Sequence, residues 1–214
     1  MIRKLEVAIR LIDSLSGSQL KNVELLASIV RLTGLSPYAA DRELYADDTI
    51  YMCADEGICQ NPDEIAQFLY SLKDISINTY LEVGTGHGWT VTIVHEILKK
   101  WNPNITSYAL DIRDNYKNIL HLSKVNYIIG TSDDLAGRYY DLVFIDANHS
   151  YYWAQKDYSN VGIHAKICGF HDIDDVYCPD LKRLWNELKP YNIWREFIKC
   201  PSKLGIGALY KVKT

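Results

Sequence analysis

The sequence predicts an α/β protein with a doubly wound, mostly parallel seven-stranded sheet, preceded by a helical extension. Strand-like and helix-like segments alternate from about residue 60, a glycine-rich turn joins the first strand to a helix, and two strands in succession close the chain. A chain of 214 residues is long enough for one domain with a modest attachment. We therefore divide it into an N-terminal helical extension, which we interpret as a lid (residues 1–58), and a main domain (residues 59–214).

Composition narrows the functional classes. The net charge is −4 and no long block of like charge occurs, so we expect no nucleic-acid or membrane partner. No apolar run is long enough to cross a bilayer, and the N-terminus resembles an amphipathic helix rather than a signal peptide. Five cysteines without a C-x-x-C pair indicate reduced thiols. The sequence therefore predicts a cytoplasmic protein.

The N-terminal extension is predicted to contain three helices. The first has an apolar face at helical spacing: Ile2, Leu5, Ile9, Ile12 and Leu15. The second ends at Thr33-Gly34, and Ser36-Pro37 can start the third. Tyr38, Tyr45 and Tyr51 are either packing residues or substrate contacts of a lid over the active site. The apolar faces of these helices could also pair between two subunits of a homo-oligomer.

The main domain begins with a clear helix signal, because Asn61 is suited to cap a helix whose first residue is Pro62. Later helices are predicted from Trp89, over Tyr152–Val161 and over Pro179–Lys189. The pattern of apolar runs predicts seven strands: Thr79–Val83, Ile105–Leu110, Val125–Ile129, Leu142–Ile145, Lys166–Phe170, Arg195–Lys199 and Ile206–Val212. The last two are close enough in the chain to form an antiparallel pair.

The turn after the first strand predicts a nucleotide-type ligand. Glycine occupies every second position (Gly84, Gly86 and Gly88), which allows a sharp turn and a close approach of a ligand to the backbone. Trp89 stands where a dinucleotide-binding fingerprint needs its third glycine, so an NAD-dependent oxidoreductase is disfavoured. Asp111 ends the second strand, roughly 20 residues further on, where a carboxylate can accept both hydroxyls of a ribose or cap a helix.

Polar residues also follow two neighbouring strands near the predicted ligand. Asp146 ends the fourth strand, His149 lies three residues later, and His171-Asp172 follows the fifth strand. Ligands of such sheets bind beyond the carboxyl ends of the strands. Two carboxylates that meet there form a plausible site for a hard divalent cation.

Two motifs resemble a known family. Glu82 followed by Gly84-Thr85-Gly86-His87-Gly88 resembles motif I of the class I S-adenosylmethionine-dependent methyltransferases. The Ile145–Tyr151 segment, I-D-x-x-H-x-Y, together with His171-Asp172 resembles the small metal-dependent O-methyltransferases related to macrocin O-methyltransferase and cephalosporin hydroxylase. The resemblance covers roughly residues 60–214.

The resemblance implies specific roles. S-adenosylmethionine would contact the residues of the turn and of the following strand ends: Glu82, Gly84, Thr85, Gly86, Gly88, Asp111, Ser132, Asp133 and Asp146. Asp146, His171 and Asp172 would bind a divalent metal, with Mg²⁺ expected, although relatives often have an acid or amide at the position of His171. His149 would be the general base that deprotonates a hydroxyl of a small-molecule or glycan acceptor.

Two alternatives stay open within the same fold. A metal-dependent oxygenase-like relative would suit His171 better, because imidazole is a good ligand for iron. A non-catalytic S-adenosylmethionine-binding module is the second. Neither the acceptor nor the oligomeric state can be derived from the sequence.

Overall fold

The computed structural model describes residues 2–33, 57–116, 119, 121–199 and 204–211. Six α-helices lie in this part of the chain: α1 (Ile2–Ser14), α2 (Val23–Leu32), α3 (Pro62–Leu72), α4 (Trp89–Trp101), α5 (Tyr151–Asn160) and α6 (Pro179–Leu188). The seven strands are β1 (Thr79–Val83), β2 (Thr106–Asp111), β3 (Val125–Ile129), β4 (Leu142–Ile145), β5 (Ile167–His171), β6 (Ile193–Phe197) and β7 (Ile206–Tyr210).

All seven strands belong to one sheet with the order β3-β2-β1-β4-β5-β7-β6. Strands β1 to β5 run parallel, and β7 lies antiparallel between β5 and β6. The chain order reverses direction between β1 and β4, which is where a doubly wound sheet opens a crevice for a ligand. The predicted fold class is confirmed.

Side chains of the sheet alternate between two hydrophobic cores. On one face Tyr80 and Phe144 pack with helices α1 to α4, and on the other Leu81 and Val143 pack with α5 and α6. Neighbouring residues of a strand point to opposite faces, so a short fully apolar strand serves both cores.

The two described helices of the N-terminal extension pack onto the main domain. Leu5 and Ile12 of α1 and Leu26 of α2 are fully buried in the core that also contains α3 and α4. The division at residue 58 stays a prediction. Tyr38, Tyr45, Tyr51 and the helix predicted from Ser36 lie outside the described residues. None of the described helices combines the length and apolarity that a bilayer crossing requires.

Several predicted boundaries were wrong by one or two residues. Strand β2 is shifted by one position and ends at Asp111, β5 includes His171, and β6 begins at Ile193. Pairing explains these shifts: Asp111 lies opposite Ile129, His171 opposite Ile206, and Ile193 opposite Tyr210. The end of each strand is thus set by pairing with a neighbouring strand, and the local sequence pattern carries no information about that neighbour.

Candidate active site

The glycine turn leaves β1 and leads into α4. Gly84 has a φ of 85°, and a Cβ atom there would lie 2.3 Å from the carbonyl oxygen of Asp146. Gly86 has a φ of 54°, but a Cβ atom there would meet nothing within 4 Å. Packing therefore requires the first glycine, whereas the second leaves open space next to the backbone. This open space beside Gly86, the cradle, can hold a ligand that lies against the main chain.

Glu82 connects the strand to the helix beneath this turn. Its side chain is buried and accepts hydrogen bonds from the hydroxyl of Tyr80, at 2.5 Å, and from the backbone N–H of Val91. Burial raises the pKa of the Glu82 carboxyl well above its usual range. Since α4 has no side-chain cap at Gly88, the contact with Val91 also serves the first turn of that helix. Glu82 thus joins β1 to the helix that follows the glycine turn, and its predicted contact with the cofactor stays a prediction.

Asp111 contacts the turn from β2. Its Oδ2 accepts the N–H of Gly86 at 2.7 Å, and its Oδ1 accepts the N–H of Arg113 at 2.9 Å. Both oxygens therefore already hold backbone donors. Contact with a ribose, which the resemblance implies, would use their remaining lone pairs and stays a prediction.

Ser132 and Asp133, which were predicted to contact S-adenosylmethionine, are directed toward α5. Ser132 donates a hydrogen bond to Asp157 at 2.6 Å, and Asp133 pairs with Lys156 at 2.5 Å. In the described part of the chain, Asp111, Ser132 and Asp133 do not line the pocket to which Glu82, Gly84, Thr85 and Gly86 belong. Their predicted contacts with S-adenosylmethionine stay predictions.

The pocket has a volume of about 870 Å³ and lies at the carboxyl ends of β1, β4 and β5. The glycine turn forms one side of it. Asp146, His149, His171 and Asp172 form another. Because β4 and β5 are paired in parallel, the residues that follow them emerge side by side. The predicted meeting of the two carboxylates with both histidines is present.

The four side chains form one compact cluster. Nδ1 of His171 lies 3.3 Å from Oδ1 of Asp146 and 3.1 Å from Oδ2 of Asp172. Nε2 of His149 lies 3.6 Å and 3.2 Å from the same two oxygens. Neighbouring ligands of an octahedral cation with bonds of about 2.1 Å are separated by about 3 Å. The Asp146–His171–Asp172 donors therefore fit a divalent cation with little movement.

Two polar atoms of the cluster lack protein partners. Among the described residues, Oδ1 of Asp172 and Nε2 of His171 are buried without a hydrogen bond. Buried polar atoms are normally paired, so these atoms point to a ligand. Asp172 also has a φ of 61°, the only positive value of a non-glycine residue in the described chain. Such strain, on the order of 1–2 kcal/mol, concentrates at functional sites.

Charge couples the members of the cluster. Burial raises the pKa of Asp146, but the two histidines outweigh burial and lower it below its usual range. Burial lowers the pKa of His149, but Asp146, Cys178 and Asp172 outweigh it and raise the pKa to about 11. Burial also lowers the pKa of His171, but Asp172 and Asp146 outweigh burial and raise that pKa well above its usual value. Among the protein groups alone, protons on the imidazoles therefore balance the carboxylates, and a cation can replace that positive charge.

The sequence reasoning missed Gln60 and Cys178, two pocket residues that contact the cluster. Gln60 donates from Nε2 to Oδ2 of Asp146 at 2.5 Å and accepts from the hydroxyl of Thr90 at 2.5 Å. Cys178 lines the pocket beside His149. Gln60 precedes the cap Asn61 and belongs to no motif, and Cys178 lies in a loop without a pattern. Nothing in the sequence marks either residue.

Comparison with known proteins defines the fold further. No family model matches the sequence, and a search of curated proteins finds no match. Solved structures do match. The SAH-bound Podospora anserina methyltransferase PaMTH1 aligns with a TM-score of 0.55 at 15% identity, over 82% of this chain and 86% of that one.

Two further structures agree with this result. A SAM-dependent O-methyltransferase from Thermotoga maritima aligns with a TM-score of 0.53 at 12% identity, over 78% of this chain and 71% of that one. A precorrin-6y C5,15-methyltransferase from Geobacter metallireducens aligns with a TM-score of 0.50 at 15% identity, over 80% and 96% of the two chains. The chain has the fold of the class I S-adenosylmethionine-dependent methyltransferases.

Proposed function

We propose that the protein is an S-adenosylmethionine-dependent O-methyltransferase that uses a divalent cation and acts on a hydroxyl of a small molecule or sugar. One observation carries the proposal: the open backbone of the glycine turn and the Asp146–Asp172 carboxylates face the same pocket. A methyl donor that lies on the turn and an acceptor near the carboxylates would then be neighbours. Such positioning is a large part of catalysis in a two-reactant transfer.

Asp146, His171 and Asp172 are the residues that would hold the cation. When bound, a divalent cation lowers the pKa of a hydroxyl that contacts it and fixes the position of its oxygen. Gln60 occupies Oδ2 of Asp146 and so leaves Oδ1 for the cation. The amide of Gln60 would thus support metal binding indirectly, because it holds the carboxylate of Asp146 in a fixed orientation.

His149 is the proposed general base. Its side chain is about one-third exposed (34%), whereas that of His171 is buried (2%), so His149 is the imidazole that an acceptor in the pocket can reach. Asp146 and Asp172 orient its ring. With both carboxylates compensated by a cation, His149 loses the interaction that holds its own proton and can accept one from the hydroxyl.

An oxygenase-like relative of the same fold is a second candidate. The observation that favours it is the pair of imidazoles on the two carboxylates, because a set of two histidines and a carboxylate suits Fe²⁺. The two candidates differ in what they consume. The first needs a methyl donor, and the second needs O₂.

Calorimetric titration tests the proposal. The chain should bind S-adenosylmethionine and S-adenosylhomocysteine, and a panel of sugar and catechol acceptors should then be methylated only when Mg²⁺ or Mn²⁺ is supplied. Absence of cofactor binding would contradict the methyltransferase assignment. Consumption of O₂ with Fe²⁺, without methyl transfer, would favour the oxygenase, and cofactor binding without turnover on any acceptor would favour a binding module.

A further inference from the structure

We propose that His149, Asp172 and Cys178 form a second metal site beside the first, and that it takes a thiophilic divalent ion of the zinc type. The two sites share Asp172. An ion at the second site would occupy His149 and thereby stop methyl transfer. This inhibitory effect rests on the proposed function, whereas the metal site itself does not.

The donor atoms are already close to one another. One atom each from His149, Asp172 and Cys178 lies within 4.8 Å of the other two. Nε2 of His149 is 3.2 Å from Oδ2 of Asp172, and the imidazole is also hydrogen-bonded to the thiol of Cys178. Tetrahedral zinc with bonds of 2.0–2.3 Å separates its ligands by about 3.3–3.8 Å. Side-chain adjustments alone can therefore close the site.

An unpaired atom gives independent support. Asp172 is only 4% exposed, yet its Oδ1 has no hydrogen-bond partner among the described residues. Asp172 lines the pocket, as do His149 and Cys178. Oδ2 of Asp172 is the oxygen that lies near both histidines, and the second oxygen, Oδ1, is left to bind a further ion. A second cation would supply the partner that this buried oxygen lacks.

The type of donor determines which ion is preferred. A thiol, an imidazole and a carboxylate are a set that zinc binds well, with a fourth position open to water. Mg²⁺ prefers oxygen ligands and keeps its waters, so it gains nothing from the thiol.

The backbone holds Cys178 in place. Its N–H donates to the carbonyl of Asp175 at 3.2 Å, and its own carbonyl accepts the N–H of Leu181 in the first turn of α6 at 3.1 Å. The thiol is thus presented to His149 from an ordered chain segment. Cys59 also lines the pocket but does not belong to either donor group found among the described residues. It is the matched control.

A cobalt titration tests the site directly. The full chain, first treated with a chelator, is titrated with Co²⁺ and its near-ultraviolet spectrum is recorded. We expect a thiolate-to-cobalt charge-transfer band in the wild type and in Cys59→Ser, and its loss in Cys178→Ser and Cys178→Ala. Zn²⁺ should displace the cobalt and should bind the two Cys178 variants at least about tenfold more weakly. A wild type without the band, or a band that survives in both Cys178 variants, would overturn the site.

The inhibitory effect is tested on turnover. Zn²⁺ is added to each protein in excess Mg²⁺, and the result is expressed as a fraction of that protein's own rate. We expect inhibition in the wild type and in Cys59→Ser, and about tenfold or more Zn²⁺ for the same effect in Cys178→Ser. Equal inhibition of all three proteins would refute control through this site. If no acceptor is methylated, the proposed function fails, but the cobalt band still decides whether the metal site exists.

Discussion

At the scale of single residues, His149 shows how a functional assignment depends on its neighbours. The residue is a member of a sequence motif, but only the structure shows its Nε2 between the carboxylates of Asp146 and Asp172. The same contacts that orient the ring also hold its proton. A cation at the carboxylates is therefore a condition for its use as a base.

Replacement of His149 by Ala tests this role. We expect turnover to fall by about 10²–10⁴-fold, because that is the usual contribution of a general base. Affinity for S-adenosylmethionine should stay the same, since the glycine turn is not altered. Steady-state kinetics and calorimetry measure the two effects, and the exposed His121→Ala is the control. Turnover at the wild-type rate would show that the base is another group.

Gln60 makes a different prediction, because it touches the metal site without belonging to it. Gln60→Leu removes the donor to Oδ2 of Asp146 and the acceptor for Thr90. We expect Mn²⁺ to bind about 10–100-fold more weakly, as is usual when a partner of a metal ligand is lost. Calorimetric titration with Mn²⁺ measures this effect. Gln67→Leu, at an exposed position of α3, should leave Mn²⁺ affinity unchanged.

At the scale of elements, the glycine turn serves two purposes that can be separated. Gly84 makes room for the carbonyl of Asp146 at the end of β4, so it is needed for the chain segments that follow β1 and β4 to pack against each other. Gly86 borders open space and lies against the pocket, so it is needed for the ligand. Identical residue types two positions apart thus have different functions.

Alanine at each position should separate these functions. Gly84→Ala combines a left-handed backbone with a collision, and we expect a loss of more than about 3 kcal/mol in the free energy of unfolding. Gly86→Ala has room for the methyl group and should lose only about 1–2 kcal/mol. It should nevertheless weaken S-adenosylmethionine binding at least about tenfold, because the methyl group enters the cradle. Urea unfolding and calorimetry measure the two effects, and equal losses of stability would contradict this division.

At the scale of the whole molecule, buried polar groups tie the sheet to its helices. His95 of α4 is 2% exposed, and its Nδ1 contacts the hydroxyl of Ser107 in β2 at 2.8 Å. Burial, with the nearby charge of Lys99, lowers the pKa of His95 from 6.5 to about 4. The folded protein therefore holds this imidazole neutral, whereas the unfolded chain protonates it below pH 6.5.

The sign of the pH effect follows from this difference. Between about pH 6.5 and pH 4 the unfolded chain binds the extra proton, so stability falls as the pH falls through this interval. The loss from His95 is on the order of 3 kcal/mol, since one pKa unit corresponds to about 1.4 kcal/mol. Urea unfolding at about pH 7.5 and pH 4.5 should show a smaller pH effect in His95→Gln than in the wild type. The exposed His164→Gln should behave as the wild type, and an unchanged pH effect in His95→Gln would contradict the assignment.

The sequence by itself determined the fold class, the glycine turn and the identity of the main cluster residues. These features depend on local patterns: period-two and period-three-to-four apolar spacing, helix caps such as Asn61, and strand ends that carry Asp146 and Asp172. A parallel sheet brings consecutive strand ends to one edge, so a meeting of these carboxylates could be predicted from chain order.

Only the tertiary structure decided which side chains face the pocket. Asp111 is bound to the backbone of the turn, Ser132 and Asp133 are bound to α5, and Gln60 and Cys178 reach the cluster from segments without a motif. The physical reason is that hydrogen-bond partners, strand ends and donor distances are set by contacts between segments far apart in the chain. The spacing of residues along the chain can place a residue at the end of a strand. Which other side chains it contacts there is decided only when the chain has folded.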